Sequence, residues 1–250
     1  MSLPEHELYR CHDQWGAIRV LESENLRYLA FGEGGDQSAV DLLQPSRPIL
    51  LYIQAMLLAL VYSPAPKNIT LLGLGAGNLA NALLHCLPDA QITAVELRPR
   101  VIKVAHKWFA LPKTPRLNIL ADDASEYMLQ SDEPVDMLFS DIYLDQGMDD
   151  NQLSFQVLQA CYDSLSPAGM LVLNLWDQGK GHHPLAHDRL GEYFGKNYLL
   201  CPVEGGNLIA FAFKEGLSGH NPRRLQQQVK RLSKSLGVNL GPLLNQVKAG

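Results

Sequence analysis

The chain is short of cysteine and of charge. Its four cysteines, Cys11, Cys86, Cys161 and Cys201, lie far apart and form no Cys-x-x-Cys pair, which argues against a zinc knuckle and a disulfide framework and reads as reduced thiols. Charged residues are 19% and hydrophobic ones 46% of the 250, so this is not a disordered composition, and one sizeable core is expected. Long apolar runs are missing too. The longest, Pro48 to Tyr62, contains Gln54 and stops at Ser63-Pro64, short of the roughly 20 residues that span a bilayer, and it reads as a buried helix. No basic region followed by an apolar core is visible near the N-terminus, so the expected location is cytoplasmic, with no membrane partner. Positive charge is in deficit, at 21 Lys+Arg against 26 Asp+Glu, and a nucleic-acid partner is not expected. There is no internal repeat, no low-complexity tract, and no Gly-x-Ser-x-Gly elbow to support hydrolase chemistry.

What is present falls into three parts. Residues 1–46 form a first module in which Ala17 to Leu21 and Leu26 to Phe31 flank the polar Glu22 to Asn25, the pattern of a β-hairpin. Residues 47–213 form an α/β domain. From Asn68 onward short β-rich runs alternate with helix-length segments: Ile69 to Leu72, Ile92 to Glu96, Leu117 to Leu120, Val135 to Phe139 and Met170 to Asn174 are the strands. That alternation predicts a parallel sheet covered on both faces. Tyr198 to Val203 and Asn207 to Phe213 are joined only by Glu204-Gly205-Gly206, which forbids a crossover helix and requires an antiparallel pair. A doubly wound sheet ending in such a hairpin resembles the S-adenosylmethionine-dependent methyltransferase fold. Residues 214–250 form a basic tail whose last 28 residues hold Arg223, Arg224, Lys230, Arg231, Lys234 and Lys248 and no acid. Its segment Pro222 to Leu236 reads either as a basic helix for an anionic partner or as a solvated helix docked through Leu225, Val229, Leu232 and Leu236.

A nucleoside site is legible at the first α/β turn. Gly73-Leu74-Gly75-Ala76-Gly77-Asn78 directly follows a strand and precedes a helix, where glycines let the backbone approach a ligand closely. Without the full Gly-x-Gly-x-x-Gly spacing it suits a diphosphate cofactor less well. Nineteen residues beyond Gly77, Glu96 ends the second strand, placed to accept bonds from ribose hydroxyls; its alternative is to cap the helix beginning at Pro99. Asp122-Asp123-Ala124 ends the third strand, where an acid can reach an adenine amino group. Asp123 is the expected contact and Asp122 the alternative helix N-cap.

A reaction site is expected after the fourth strand, where Asp141, Tyr143 and Asp145 leave the carboxyl edge of the sheet. Two carboxylates and a phenol suit an amine, binding its ammonium and then removing the proton that blocks attack. The competing reading is an acidic loop that caps the helix after Asn151.

Residues 15 to 213 resemble the spermidine synthase family of polyamine aminopropyltransferases. Gln37-Ser38 is similar to its Gln-Ser/Thr, Tyr52-Ile53-Gln54-Ala55-Met56 to its Tyr-His-Glu-Met, and Gly73 to Asn78 to its Gly-Gly-Gly-Asp-Gly-Gly. Val95 to Ile102 is similar to its Val-Glu-Ile-Asp-Pro-x-Val-Ile, Asp123-Ala124 to its Asp-Ala, and Asp141 falls at the first acid of its Asp-x-x-Asp. The resemblance implies that Gln37 touches substrate or nucleoside, that Asp141 and Asp145 bind and deprotonate an amine, and that Tyr143 orients it. The departures are Ile53-Gln54 for His-Glu, Ala76 for the acid of the glycine turn, and Leu144 for the second acid, with Asp145 one residue late. An acid at position 76 would attract the aminopropyl ammonium of decarboxylated S-adenosylmethionine and repel the carboxylate of the intact compound. Ala76 does neither.

The reading is therefore an aminopropyltransferase using S-adenosylmethionine or its decarboxylated form, with a small-molecule amine as acceptor. A methyltransferase is the alternative and an inactive nucleoside-binding protein the second. No metal is expected: His183 and His187 share a helical spacing, but Asp188 alone is near enough to complete a set. The exposed strand edges of the first module suggest a homodimer.

Overall fold

The punctuation that closes each apolar run builds the fold. The computed structural model describes residues 6–32, 36–144, 147–148, 150–177, 180, 182–216 and 221–250, with Asp36, Gln37, Leu144, Gly147 and Asp150 described by their backbone alone. An N-terminal antiparallel sheet joins β1 (His6–Asp13), β2 (Gly16–Ser23), β3 (Leu26–Phe31) and β4 (Asp36–Asp41) in chain order. The expected hairpin is the inner pair, β2 and β3, and a strand is added on each side of it. β1 is largely exposed and polar, and β4 carries the Gln37-Ser38 pair inside a strand, so neither announces itself by hydrophobic alternation.

The expected buried helix between Pro48 and Tyr62 is two short ones, α1 (Leu51–Met56) and α2 (Ala59–Tyr62). Between them the backbone tightens to three-residue bonds, Leu58 N to Ala55 O and Leu60 N to Leu57 O. Then follow β5 (Asn68–Leu72), α3 (Asn78–Cys86), β6 (Gln91–Glu96), α4 (Pro99–Trp108), β7 (Leu117–Ala121), α5 (Ala124–Gln130) and β8 (Val135–Ser140). The short pair β9 (Tyr143–Leu144) and β10 (Gly147–Met148) precedes α6 (Phe155–Ser164), β11 (Leu165–Trp176), α7 (Pro184–Phe194), β12 (Tyr198–Val203) and β13 (Asn207–Phe213). The chain closes with α8 (Pro222–Leu236), α9 (Gly241–Leu244) and β14 (Lys248–Ala249).

The large sheet has the order β14-β12-β13-β11-β8-β5-β6-β7. β7, β6, β5, β8 and β11 are parallel, and β13 pairs antiparallel with both β11 and β12. This is the mixed α/β, methyltransferase-like arrangement with a terminal hairpin. The chain winds outward from β5 through β6 to β7, then returns to place β8 on the other side of β5. The carboxyl ends of β5 and β8 thus bound the crevice where ligands of open α/β sheets bind.

Two joints fix the appendages. The buried Arg98 guanidinium pairs with Asp13 at 2.8 Å, donates to Gly16 O at 3.0 Å and lies 4.5 Å from the Phe31 ring centroid, tying the N-terminal sheet to the start of α4. Around it Ile18, Leu29, Val101 and Phe109 make an apolar cluster that also encloses Ala76. At the other end α8 docks by its apolar stripe, with Val229 and Leu236 buried and Leu225 and Leu232 packed beside them. β14 then pairs with β12, so the tail re-enters the sheet. No helix among the described residues is long and apolar enough to cross a membrane.

Candidate active site

The glycine turn after β5 is shaped by two close approaches. Gly73 has φ +94°, and a Cβ there would meet the Asp141 carbonyl oxygen at 2.2 Å; Gly75 has φ +55°, and its Cβ would meet Ser38 Oγ at 2.5 Å. No L side chain fits either position without moving backbone or the Ser38 hydroxyl. The turn and Glu96 form one unit. Glu96 Oε2 accepts from Leu74 N at 3.1 Å and Gly75 N at 3.4 Å, while Oε1 accepts from Arg98 N at 2.9 Å. Burial pushes the Glu96 carboxyl up, against these opposing amides. The N-cap of α4 is Arg98 with no side-chain cap bond, so Glu96 does not cap that helix. Oε1 carries one amide bond and keeps a lone pair for a further donor.

At the end of β7 the acids exchange the capping role expected of them. Asp123 is the N-cap of α5, its Oδ1 accepting from Ser125 N at 2.8 Å and Glu126 N at 3.1 Å, and Ala124 begins the helix. Asp122 is exposed, and its Oδ1 accepts from Asp123 N. An N-cap must sit one residue before the first helical φ/ψ pair, and Asp123 does. The cap uses one oxygen of Asp123 and leaves the other.

The opposite wall is assembled from distant elements. Asp141 follows β8 and donates its backbone N–H to Leu72 O at 2.9 Å, which seats it beside Gly73. Its Oδ1 accepts from Asn174 Nδ2 on β11 at 2.8 Å, and the Tyr52 phenol on α1 donates to the same carboxylate. Ser38 on β4 donates in turn to Tyr52. Burial pushes the Asp141 carboxyl up to about 6, with the Asn174 and Tyr52 bonds pulling the other way. Burial, then the charge of Asp141, raises the Tyr143 phenol; Asp177, directly after β11, adds to the rise. The Tyr143 oxygen accepts from Asn207 Nδ2 at 3.3 Å. A carboxylate with this ionisation and two donors fixing it can hold an ammonium and then take its proton.

Asp145 lies outside the described residues, as does the Gln37 side chain. α6 is capped by Ser154, whose Oγ accepts from Val157 N at 3.4 Å, so the acidic loop does not serve that helix. Gln54 does not face the cleft: its Nε2 donates to Pro48 O at 3.0 Å, closing the start of its own helix. His183 Nδ1 caps α7 by accepting from Ala186 N, and His187 bonds the Tyr198 hydroxyl. Among the described residues no group of three or more His, Cys, Asp or Glu could hold a metal ion. Trp176 is 42% exposed and lies on Gly206 at the rim. Sequence reasoning missed Asn174, Asn207 and Asp177. The one available signal was an amide inside the otherwise apolar run Met170 to Trp176.

The fold is that of the methyltransferase-like class. A methyltransferase-domain family model matches residues 69–169. The polyamine aminopropyltransferase of Neisseria meningitidis is 30% identical over 235 residues, 93% of this chain and 89% of that protein. The chain therefore belongs to the polyamine aminopropyltransferase family. The Chromobacterium violaceum polyamine aminopropyltransferase is 28% identical over 232 residues, 92% of this chain and 89% of its own length. Among solved structures, a probable spermidine synthase from Corynebacterium glutamicum superposes with a TM-score of 0.76 at 19% identity, covering 99% of this chain and 90% of that one. A spermidine synthase bound to the transition-state analogue AdoDATO gives 0.68 at 20% identity over 92% of this chain and 88% of that one. Human methyltransferase-like protein 13 with SAH gives 0.66 at 21% identity over 75% of this chain and 93% of that one.

Proposed function

We propose that this chain moves the aminopropyl group of decarboxylated S-adenosylmethionine onto a polyamine-type amine. The observation that carries this reading is Asp141, held by Tyr52 and Asn174 against Gly73 at the switch point of the sheet. Glu96 Oε1 accepts from a ribose hydroxyl, and the Asp123 oxygen not used by the helix cap faces the adenine amino group. Asp141 receives the amine as an ammonium, with Tyr143 beside it and Asp145 as the second acid. After the amine loses a proton to Asp141, its nitrogen lone pair forms a bond to the methylene carbon next to the sulfonium. The C–S bond breaks with its electron pair on sulfur, leaving methylthioadenosine as a neutral thioether. Fixed placement of both partners and one proton acceptor supply the acceleration. A second copy of the chain covers the exposed edge of β1 to make a dimer.

One observation favours a second reading. Ala76 is fully buried in an apolar cluster, so the turn has no acid to refuse the carboxylate of intact S-adenosylmethionine. Two assays separate the readings. Incubation with diamine and each nucleoside, read by product mass, gives an aminopropylated amine under the first and a methylated product under the second. Thermal shift ranks the two nucleosides and methylthioadenosine by affinity. Neither product, and no shift with any of the three, rejects both enzymes in favour of an inactive protein.

A further inference from the structure

Asn174 and Asn207 belong to none of the motifs above, yet both side chains enter the amine end of the cleft. Asn174 interrupts the apolar run of β11 and is 1% exposed. A polar side chain that deep needs partners on both of its ends. It has them: Nδ2 donates to Asp141 at 2.8 Å, and Oδ1 accepts from Asn207 Nδ2 at 2.9 Å. Asn207, opposite Trp176 at the start of β13, also donates from Nδ2 to the Tyr143 oxygen at 3.3 Å.

The direction of this chain is forced from one end. An ionised carboxylate only accepts, so Asn174 presents its NH2 to Asp141 and its carbonyl to Asn207. Asn207 must then present its own NH2, which lands on the Tyr143 oxygen. With that oxygen receiving a donor, the Tyr143 O–H is left to point elsewhere. We propose, resting on the reaction above, that Asn174 and Asn207 are positioning residues forming a one-way relay that keeps Asp141 an acceptor aimed at the amine and turns the Tyr143 proton toward the substrate. Protonation of Asp141 removes the constraint at its origin, so both groups lose their roles together. Among the described residues, the ionisable groups acting on this relay are Tyr52 from α1 and Tyr143 from β9 around Asp141, and Asp177 after β11 around Tyr143.

Asn174→Leu keeps the branching and the number of side-chain heavy atoms and removes the first link. Asn207→Leu removes only the second and sits at a less buried position, so it serves if the first variant fails to fold. In protein labelled with carbon-13 aspartate, the Asp141 carboxyl resonance is the one absent from Asp141→Asn. Its NMR titration midpoint, about 6 in the parent, is expected to rise by about one pH unit in Asn174→Leu, and less in Asn207→Leu. The lower break in the pH profile of kcat/KM for the amine moves up by the same amount, a roughly tenfold loss below the break in addition to a pH-independent loss from the misdirected Tyr143 proton. A midpoint unmoved in both variants overturns the relay, and so does a midpoint that moves while the kinetic break stays. A parent protein that turns over no amine with either nucleoside overturns the function and the relay's part in it. An active parent whose kinetic break matches that of Asn174→Leu overturns the relay alone.

Discussion

The two walls of the cleft are built on different principles. The glycine-turn wall is local: Gly73 to Gly77 and Glu96 follow or end adjacent strands, and backbone amides make most of its bonds. The wall around Asp141 is long-range, since Ser38, Tyr52, Asp141 with Tyr143, Asn174 and Asn207 come from five separate segments and meet through side chains. A backbone-made site tolerates sequence drift as long as its glycines remain. A side-chain-made site changes whenever one element changes. The departures from the family pattern do not follow that division: Gln54 turns back on its own helix, and Ala76 sits in the turn itself, within an apolar cluster.

The comparison can be broken at its hinge. Gly73→Ala places a Cβ 2.2 Å from the Asp141 carbonyl at φ +94°, and since that neighbour is backbone it cannot swing aside. Both walls should fail together, with Tm falling by on the order of 10 °C, as about 3 kcal/mol of strain implies, and no thermal shift with methylthioadenosine. Retention of that shift would show the walls to be independent.

Asp141→Asn should separate them. Calorimetric affinity for methylthioadenosine is expected to change less than about twofold while kcat/KM for the amine falls by about 10²- to 10⁴-fold. The parent's own pH profile carries the same sign. Burial raises the Asp141 carboxyl to about 6, so the base is present above that pH and is lost as pH falls through it.

Glu96→Gln sharpens the other wall. Its amide cannot accept from the Leu74 and Gly75 amides at one end and the Arg98 amide at the other, because one end has become a donor. Methylthioadenosine affinity should fall about tenfold, the effect of an unmatched buried polar group, with the amine KM nearly unchanged.

Ala76→Asp is the change with the smallest expected effect on ligand preference. It restores the family's acid, but position 76 lies within the cluster of Ile18, Leu29, Val101 and Phe109. Loss of about 2 kcal/mol in denaturant unfolding is expected, without a gain in preference for the decarboxylated nucleoside. A gain in that preference would show the Ala76 side to be part of the cleft.

Much of the α/β domain was legible because its strands are apolar throughout and punctuated by turn formers. Strands β12 and β13 have the expected bounds, and β5 to β8 differ by one residue each. The missed strands β1, β4 and β14 are edge segments: β1 and β4 pair with their chain neighbours but lack apolar alternation, and two-residue β14 pairs with β12, nearly 50 residues earlier. The assignment of the capping acid failed for a smaller reason: two adjacent aspartates have equal chemistry, and only the onset of the helical backbone distinguishes them.

The sequence by itself determined the order of the layers, the glycine turn and the acid that closes it, because periodicity and backbone freedom are properties of short segments. Only the tertiary structure decided that Gln54 turns back on its own helix, that Ala76 faces the N-terminal sheet, and that two asparagines meet at Asp141. Those outcomes depend on where a side chain's end lies in space: each asparagine link spans 33 residues of sequence, and even Gln54, whose partner Pro48 is six residues back, could have turned outward instead.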